Sequence, residues 1–198
     1  MNERFSIRSV KREYYGGVRD LYRLSVQCNP KGFIQDLEYH GCIINKMRTW
    51  RKSGGDLLVA MLGTQVVGMG ALMPLATDNV ELCKLHVTPQ HQGKGIGRRL
   101  AERLIRRAKR AGFSAMELHV TVTQQAAIGL YWKLGFRETK QEVYRTTVLG
   151  REIGFDTLYM SLAIPQTMTA DDCTKIGLSD KMAQLAVAQM SVNQMPEL

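Results

Sequence analysis

The chain has 198 residues, of which 44% are hydrophobic and 23% charged, and its net charge of +9 suits an anionic ligand, nucleic acid or solubility alone. No apolar run approaches the roughly 18–20 residues of a membrane span, and the N-terminus shows no secretory signal, so we expect a cytoplasmic protein without a membrane partner. Four cysteines without CxxC spacing and four histidines without HExxH spacing predict neither a disulfide framework nor a metal site.

Periodicity and turn residues predict alternating strands and helices in chain order. The predicted strands are apolar runs bounded by turn-forming residues: Phe5–Val10, Asp56–Leu62, Gln65–Leu75, Val80–Val87, Ala115–Val120, Arg137–Leu149 and Glu152–Ala163. The predicted helices are Lys11 to about Cys28, Gly32 to about Trp50, one from the glycine-rich loop to Ala111, and Thr123–Leu134. Gly63-Thr64 and Gly150-Arg151 are the predicted turns of two hairpins. This order of elements predicts a mixed α/β sheet.

The composition turns polar at Pro165. We therefore predict one domain over residues 1–164 and a tail over residues 165–198. Leu178–Met190 is a candidate peripheral helix within that tail. No internal repeat or low-complexity segment points to a second domain.

The segment QHQGKGIGRRL, Gln90–Leu100, places three glycines among basic residues between a strand and a helix. It is not a Walker loop, because Gly95 follows Lys94 where Ser or Thr would hold magnesium. It fits the dinucleotide fingerprint poorly, since the third glycine comes one position early. The form Gln/Arg-x-x-Gly-x-Gly/Ala matches Gln92–Gly97 at every fixed position. Its backbone N–H groups and helix N-terminus would face a pyrophosphate, which side chains at Gly95 and Gly97 would hold away.

Two sequence blocks carry a family signature. The first is the strand ELCKLHV, Glu81–Val87, with the glycine-rich loop that follows it. The second is AIGLYWKLGF, Ala127–Phe136. Together they resemble the GNAT superfamily of acyl-CoA-dependent N-acyltransferases. The resemblance implies an α/β fold with a mixed, mostly antiparallel sheet, a central parallel pair of splayed strands and flanking helices. Acetyl-CoA would lie where Val80–Val87 and Ala115–Val120 splay.

The resemblance also assigns a role to each cofactor-binding position. Pantetheine amides would pair with the strand backbone, and the diphosphate would meet the loop backbone. Gln124 stands where the family often carries Asn, and its longer side chain makes similar hydrogen bonds. The implied cofactor-binding residues are Leu85, His86, Val87, Gln92, Gly93, Lys94, Gly95, Ile96, Gly97, Arg98 and Gln124. The basic residues from Arg98 to Arg110 are interpreted as a solvated outer face of the helix. In the functional alternative, the first turn of that helix, Arg98 and Arg99, holds CoA phosphates.

Acyl transfer to an amine poses two problems of proton transfer. An ammonium with a pKa of about 10.4 must lose its proton before attack, and the CoA thiolate must be protonated as it leaves. Glu81 matches the place where many GNAT enzymes hold a base, and Glu117, His86 and His119 are its alternates. The implied general acid is Tyr131, the Tyr of the L-Y pair. The structural alternatives are an edge carboxylate for Glu81 and a core aromatic for Tyr131.

These features predict an N-acetyltransferase that moves acetyl from acetyl-CoA to a primary amine by direct attack in a ternary complex. The acceptor amine belongs to a small molecule or a protein, no metal takes part, and a homodimer is compatible with the sequence. One alternative is a non-catalytic module that binds or senses acyl-CoA. The other is a basic nucleic-acid binder, against which the sequence shows neither interleaved aromatic residues nor a helix-turn-helix pattern.

Overall fold

The computed structural model describes residues 5–28 and 40–166, which form a seven-stranded sheet with helices on both sides. The strands are β1 (Ser6–Ser9), β2 (Asp56–Leu62), β3 (Gln65–Pro74), β4 (Asn79–Val87), β5 (Ala115–Thr121), β6 (Arg137–Val148) and β7 (Arg151–Ala163). The α-helices in these residues are α1 (Tyr15–Gln27), α2 (Ile43–Arg51), α3 (Ile96–Arg110) and α4 (Gln125–Lys133). Single 3-10 turns cover Arg12–Tyr14 and Pro89–His91.

The strand order is β1-β2-β3-β4-β5-β7-β6, and only β4 and β5 run parallel. Their ladder is short: it joins Asn79 to Ala115 and ends where Glu81 lies opposite Glu117. Beyond that point the two strands separate. The structure thus confirms the predicted mixed, mostly antiparallel sheet with a central splayed pair.

Each face of the sheet carries its own hydrophobic cluster. Alternate residues of a strand point to opposite faces, so Leu58 of β2 belongs to the cluster under α3 and α4, and Leu57 to the cluster under α1 and α2. Gly70 of β3 lets α3 lie close, because a Cβ there would come within 2.8 Å of the Leu104 side chain. One face of α3 is apolar and buried, through Ile96, Leu100, Leu104 and Ala108.

The turn predicted at Gly150-Arg151 is wrong by one residue. Arg151 pairs with Val148 as the first residue of β7, and the two turn residues are Leu149 and Gly150. Their φ angles are 49° and 76°. A two-residue turn with positive φ at both positions matches the twist of the flanking strands, which is why a leucine adopts this rare conformation.

The second predicted helix is interrupted: His40 is still helical, and a new helix begins only at Ile43. Helix α2 starts at Ile43, after Gly41 with a φ of 63° interrupts the chain. The earlier part of that prediction, residues 32–39, lies outside the described residues, as does the candidate helix Leu178–Met190. The division of the chain at residue 164 stays a prediction.

Asp56 is the centre of a buried ion network that the sequence analysis missed. Its side chain is 5% exposed, and its two oxygens lie 2.8 Å from Arg51 Nε and from Arg107 Nη1. Ser9 Oγ donates to the carboxylate at 3.3 Å and accepts from Arg107 at 2.7 Å. Arg51 also donates to the Val10 carbonyl at 3.0 Å. The network connects β1, α2 and α3 to the start of β2.

Replacing Asp56 by alanine should lower the free energy of unfolding by about 2–3 kcal/mol, because two arginines lose a buried partner but keep partial access to water. Urea denaturation monitored by circular dichroism measures this loss. The control is Glu152→Ala, which breaks the pair with Arg145, in which both side chains are about two-thirds exposed. That change should cost less than about 1 kcal/mol. Equal losses in the two variants would contradict a special role for Asp56.

Candidate active site

Strands β4 and β5 separate next to a bulge in β4. No ladder between them continues past Glu81 and Glu117 in the part of the chain that the structure describes. Lys84 lies at the bulge, where β4 has one residue more than β3 between paired positions, and its φ is 55°. Non-glycine residues in this conformation are uncommon and concentrate at functional sites. The distortion marks this part of β4 as a candidate site.

The bulge changes which face of the sheet each side chain of β4 meets. Leu82 lies in the α3–α4 cluster, and Leu85 and Val87 pack against the same cluster after the bulge. Regular alternation would place His86 on that face, but its ring lies 6.4 Å from the ring of Tyr22 in the α1–α2 cluster. The three-residue step from Leu82 to Leu85 is a sequence signal that indicates such a bulge.

A cavity of about 200 Å³ opens beside the bulged half of β4. Five of the predicted cofactor-binding residues line it: Leu85, His86, Val87, Gln92 and Gln124. The opposite wall was not predicted from the sequence; α1 and its C-terminal end form it through Leu21, Leu24, Ser25 and Cys28. Strand β4, the loop before α3 and the N-terminus of α4 therefore meet at one concave surface, the usual form of a small-molecule site.

The glycine-rich loop leaves open space before α3. Gly93 and Gly95 have φ angles of 72° and 78°, and no atom lies within 4 Å of a Cβ built on either. Gly97 is the second residue of α3, and a Cβ there would lie 3.8 Å from side-chain atoms of Leu130 and Val87. The first N–H groups of a helix lack partners within that helix and attract anions. The loop can therefore bring backbone donors close to a phosphate.

Two of the predicted loop residues have structural roles for their side chains. Gln92 Nε2 donates a hydrogen bond to the Val87 carbonyl at 3.0 Å, which attaches the loop to the end of β4. Ile96 is 3% exposed and packs in the α3–α4 cluster. At Ile96, therefore, only the backbone remains to meet a phosphate.

The charged side chains near the loop are partly engaged elsewhere. Arg98 Nε lies 2.8 Å from Glu102 Oε1 one helical turn along. The Arg99 guanidinium lies 4.7 Å from the centre of the Phe5 ring. Lys94 and Arg98 are exposed, so both can approach a ligand at the helix N-terminus. The sequence-based role of Arg98 and Arg99 stays a prediction.

Glu81 lies at the point where the two strands part. Its side chain is 12% exposed, and its Oε1 lies 3.4 Å from Nδ1 of His119 on β5. Burial raises the pKa of Glu81; His119 and Lys84 lower it, and Glu117 raises it. A carboxylate with a raised pKa in a partly desolvated site suits general-base catalysis.

The alternate bases are placed less favourably than Glu81. Burial, with smaller effects of Lys84 and His40, lowers the pKa of His86 to about 4, so its imidazole is a weak base. Glu117 is exposed and accepts a hydrogen bond from Asn79 Nδ2. His119 contacts Glu81 and lowers the pKa of its carboxyl group.

Tyr131 of α4 is 8% exposed and packs against Phe136, with ring centres 5.8 Å apart. Burial, followed by the nearby Cys83 thiol, raises the pKa of Tyr131 to about 12. Its hydroxyl is therefore protonated at neutral pH and able to donate. Tyr131 is thus a core aromatic whose hydroxyl can donate, and its role as general acid stays a prediction.

In the part of the chain that the structure describes, no three His, Cys, Asp or Glu side chains form a group that could hold a metal ion. Within those same residues, no helix combines the length and the apolar character needed to cross a membrane.

Comparison with protein families decides the family to which this fold belongs. The model of the acetyltransferase (GNAT) family matches residues 18–136, which include β4, the glycine-rich loop, α3 and α4. The chain belongs to the GNAT acetyltransferase family. The resemblance inferred from the two sequence blocks is thereby confirmed.

Curated relatives of this GNAT chain are N-acetyltransferases. It is 29% identical over 123 residues to N-acetyltransferase 8F1 of Rattus norvegicus, covering 60% of this chain and 55% of that protein. It is 37% identical over 95 residues to the ribosomal protein bS18-alanine N-acetyltransferase of Escherichia coli (strain K12), covering 48% of this chain and 62% of that protein. The GNAT chain spans about half the length of the first of these relatives.

Solved structures share the fold over most of the GNAT chain. The Salmonella typhimurium protein yncA, described with its cofactor acetyl-CoA, has a TM-score of 0.68 at 24% identity, covering 84% of this chain and 97% of that one. The ribosomal-protein-alanine N-acetyltransferase of Brucella melitensis has a TM-score of 0.67 at 23% identity, covering 80% and 99%. These likenesses concern the fold.

Proposed function

We propose that this protein is an N-acetyltransferase that moves acetyl from acetyl-CoA to a primary amine by direct attack in a ternary complex. The observation that carries the proposal is the cavity beside β4, where five predicted cofactor-binding residues meet next to an open glycine-rich loop. Family membership supports it. We also infer a cytoplasmic location from the free thiols of Cys28, Cys42 and Cys83. The homodimer stays a prediction.

The donor site follows the chain from β4 to α4. The pantetheine arm would lie along Leu85–Val87, where β5 has left the strand. The diphosphate would accept hydrogen bonds from backbone N–H groups between Gln92 and Arg98, at the N-terminus of α3. Gln124 precedes α4 and lines the cavity. Its side-chain amide would donate a hydrogen bond to the pantetheine arm or accept one from it.

The chemistry divides between Glu81 and Tyr131. Glu81 takes a proton from the acceptor ammonium, directly or through a water, and the nitrogen lone pair then forms the new C–N bond as the carbonyl π electrons move to oxygen. When those electrons return, the C–S bond breaks and its electron pair leaves with sulfur. The Tyr131 hydroxyl stabilises this thiolate by a hydrogen bond and gives it a proton. The nitrogen loses its second proton as the amide forms, and that proton restores the Tyr131 hydroxyl, while Glu81 releases the first proton to water. These proton transfers are general acid–base catalysis.

Thiol release from acetyl-CoA, measured against a panel of amines, tests the proposal. The panel contains small primary amines, lysine-containing peptides and peptides with an N-terminal alanine, the last because the Escherichia coli relative is named for an alanine. We expect thiol release with at least one class. Acetyl-CoA binding without release for any acceptor would favour the non-catalytic acyl-CoA module. Binding of nucleic acid in place of acetyl-CoA would favour the other alternative, a basic nucleic-acid binder.

Replacing Glu81 by glutamine should lower kcat by about 100-fold. It should also remove the ionisation of the Glu81 carboxyl group from the profile of kcat against pH. Only the carboxylate accepts a proton, so wild-type kcat should fall as pH drops through the raised pKa of Glu81. His119→Ala removes a group that lowers this pKa and should move the fall to higher pH. The profile of kcat against pH measures both shifts.

The control is Glu117→Gln. Glu117 raises the pKa of Glu81, so its replacement should move the fall to lower pH and leave the plateau of kcat unchanged. A Glu81→Gln variant with the wild-type profile would remove Glu81 from the mechanism.

A further inference from the structure

Helix α1 places a buried tyrosine against the bulged part of β4. Tyr22 is 4% exposed. Among the residues that the structure describes, its hydroxyl oxygen has no hydrogen-bond partner. An unpaired buried hydroxyl costs about 1–3 kcal/mol, and native proteins keep few such groups. Packing alone does not account for the hydroxyl, because a phenylalanine would fill the same space without that cost.

Tyr22 contacts His40, whose ring centre lies 6.4 Å from its own, and side chains of β4. Its ring centre lies 6.4 Å from that of His86, and Lys84 Nζ lies 5.7 Å from the Tyr22 ring centre. Burial, followed by the Cys83 thiol, raises the pKa of Tyr22 to about 12. The hydroxyl is therefore a hydrogen-bond donor at every pH near neutrality.

Tyr22 and Tyr131 lie on opposite faces of the sheet. Tyr22 belongs to the α1–α2 cluster and Tyr131 to the α3–α4 cluster. The Cys83 thiol nonetheless lies close enough to raise the pKa of both hydroxyls. The Tyr22 ring contacts that of His86, which lies in the half of β4 separated from β5 and lines the cavity together with Leu21, the neighbour of Tyr22 on α1. A thioester whose sulfur meets one hydroxyl has its carbonyl oxygen only two bonds away.

The charges around Tyr22 favour an anion over a second cation. The Lys84 ammonium lies over the ring, and it would repel an incoming ammonium. Burial lowers the pKa of His86 to about 4 and raises the pKa of Cys83 to about 12, so both neighbours are neutral. The nearest carboxylate on β4, Glu81, is turned to His119 of β5. Negative charge beside Tyr22 would thus be stabilised by a donor and a cation.

We propose that Tyr22 is a second catalytic tyrosine, whose hydroxyl donates a hydrogen bond to the carbonyl oxygen of the acetyl group as negative charge develops there. The inference rests on the proposed function. Tyr22 keeps its proton throughout: it stabilises the π electrons while they reside on oxygen and releases them when the C–S bond breaks. The Tyr131 hydroxyl donates to the sulfur, and the Tyr22 hydroxyl donates to the carbonyl oxygen.

Tyr22→Phe should lower kcat by about 10- to 100-fold, at or somewhat below the usual effect of removing one donor to a developing oxyanion. Its thermal midpoint should be unchanged or higher, because the removed hydroxyl has no partner, and its Kd for acetyl-CoA should stay within about twofold of wild type, because the bond strengthens only as charge develops. The control is Tyr15→Phe on the same helix, where Arg48 lies over the ring at 5.9 Å; its kcat should not change.

A readout without turnover separates this inference from the proposed function. Infrared difference spectra of bound acetyl-CoA, carrying ¹³C at the acetyl carbonyl, should show a lower carbonyl stretching frequency in wild type than in Tyr22→Phe. A wild type that binds acetyl-CoA but acetylates no amine would overturn the proposed function, and the carbonyl frequency would still decide the role of Tyr22. Equal frequencies together with an unchanged kcat would overturn the inference. A Tyr22→Phe variant that unfolds or loses acetyl-CoA would overturn it too and assign Tyr22 to packing.

Discussion

Replacing Tyr131 by phenylalanine should lower kcat by at least about tenfold, within or just below the usual 10²–10⁴-fold effect of a positioned acid. The ring would still pack against Phe136, so the thermal midpoint and the Kd for acetyl-CoA should be preserved. The lost hydroxyl can no longer stabilise or protonate the departing thiolate. Steady-state thiol release gives kcat, calorimetry gives Kd, and thermal denaturation gives the midpoint.

Two other results would remove Tyr131 from the chemistry. Unchanged turnover would show that water or another group protonates the sulfur. A variant that unfolds, or that no longer binds acetyl-CoA, would show that Tyr131 acts as a core aromatic in the α3–α4 cluster. Double replacement of Tyr22 and Tyr131 adds a further comparison, because hydroxyls that serve different atoms of one thioester should show coupled effects on kcat.

Replacing Gly97 by valine should abolish measurable binding of acetyl-CoA while the protein stays folded. Gly97 is already in helical conformation, and its Cβ would lie 3.8 Å from Leu130 and Val87, so the fold accepts a side chain there. The added methyl groups would lie between α3, α4 and the end of β4, where the diphosphate must approach the backbone N–H groups. Calorimetry with acetyl-CoA measures the loss, and NAD and ATP should bind wild type much more weakly.

Gly16 is a matched control for Gly97. It is likewise the second residue of a helix, and no atom lies within 4 Å of its Cβ position. Valine at Gly16 carries the same cost of helix propensity and should leave the Kd for acetyl-CoA unchanged. Equal loss of binding in the two variants would contradict the phosphate-binding role of the loop, and equal affinity for NAD would contradict acetyl-CoA as the donor.

The sequence by itself determined the elements that depend on neighbouring residues. The bounds of β2 are those predicted, and Gly63 takes a φ of 57° in the turn that follows. The glycines before α3 predicted the open loop, because glycine adopts positive φ without steric cost wherever it lies in the chain. The family signature determined Glu81 and Tyr131 as candidates. Glu81 lies where the parallel ladder ends, and the catalytic roles of both residues stay predictions.

Only the tertiary structure decided the features that join residues far apart in the chain. In the sequence Asp56 is an ordinary residue at the start of a strand. The structure shows that Arg51 and Arg107 both pair with it. The positive φ of Lys84 and the approach of Tyr22 to β4 follow from pairing and packing that no local window contains. Propensity and periodicity act within a few residues, whereas burial, ion pairing and strand register are set by contacts across the sheet. For that reason the sequence predicts the donor site in outline, and the fold determines which hydroxyl groups and charges surround it.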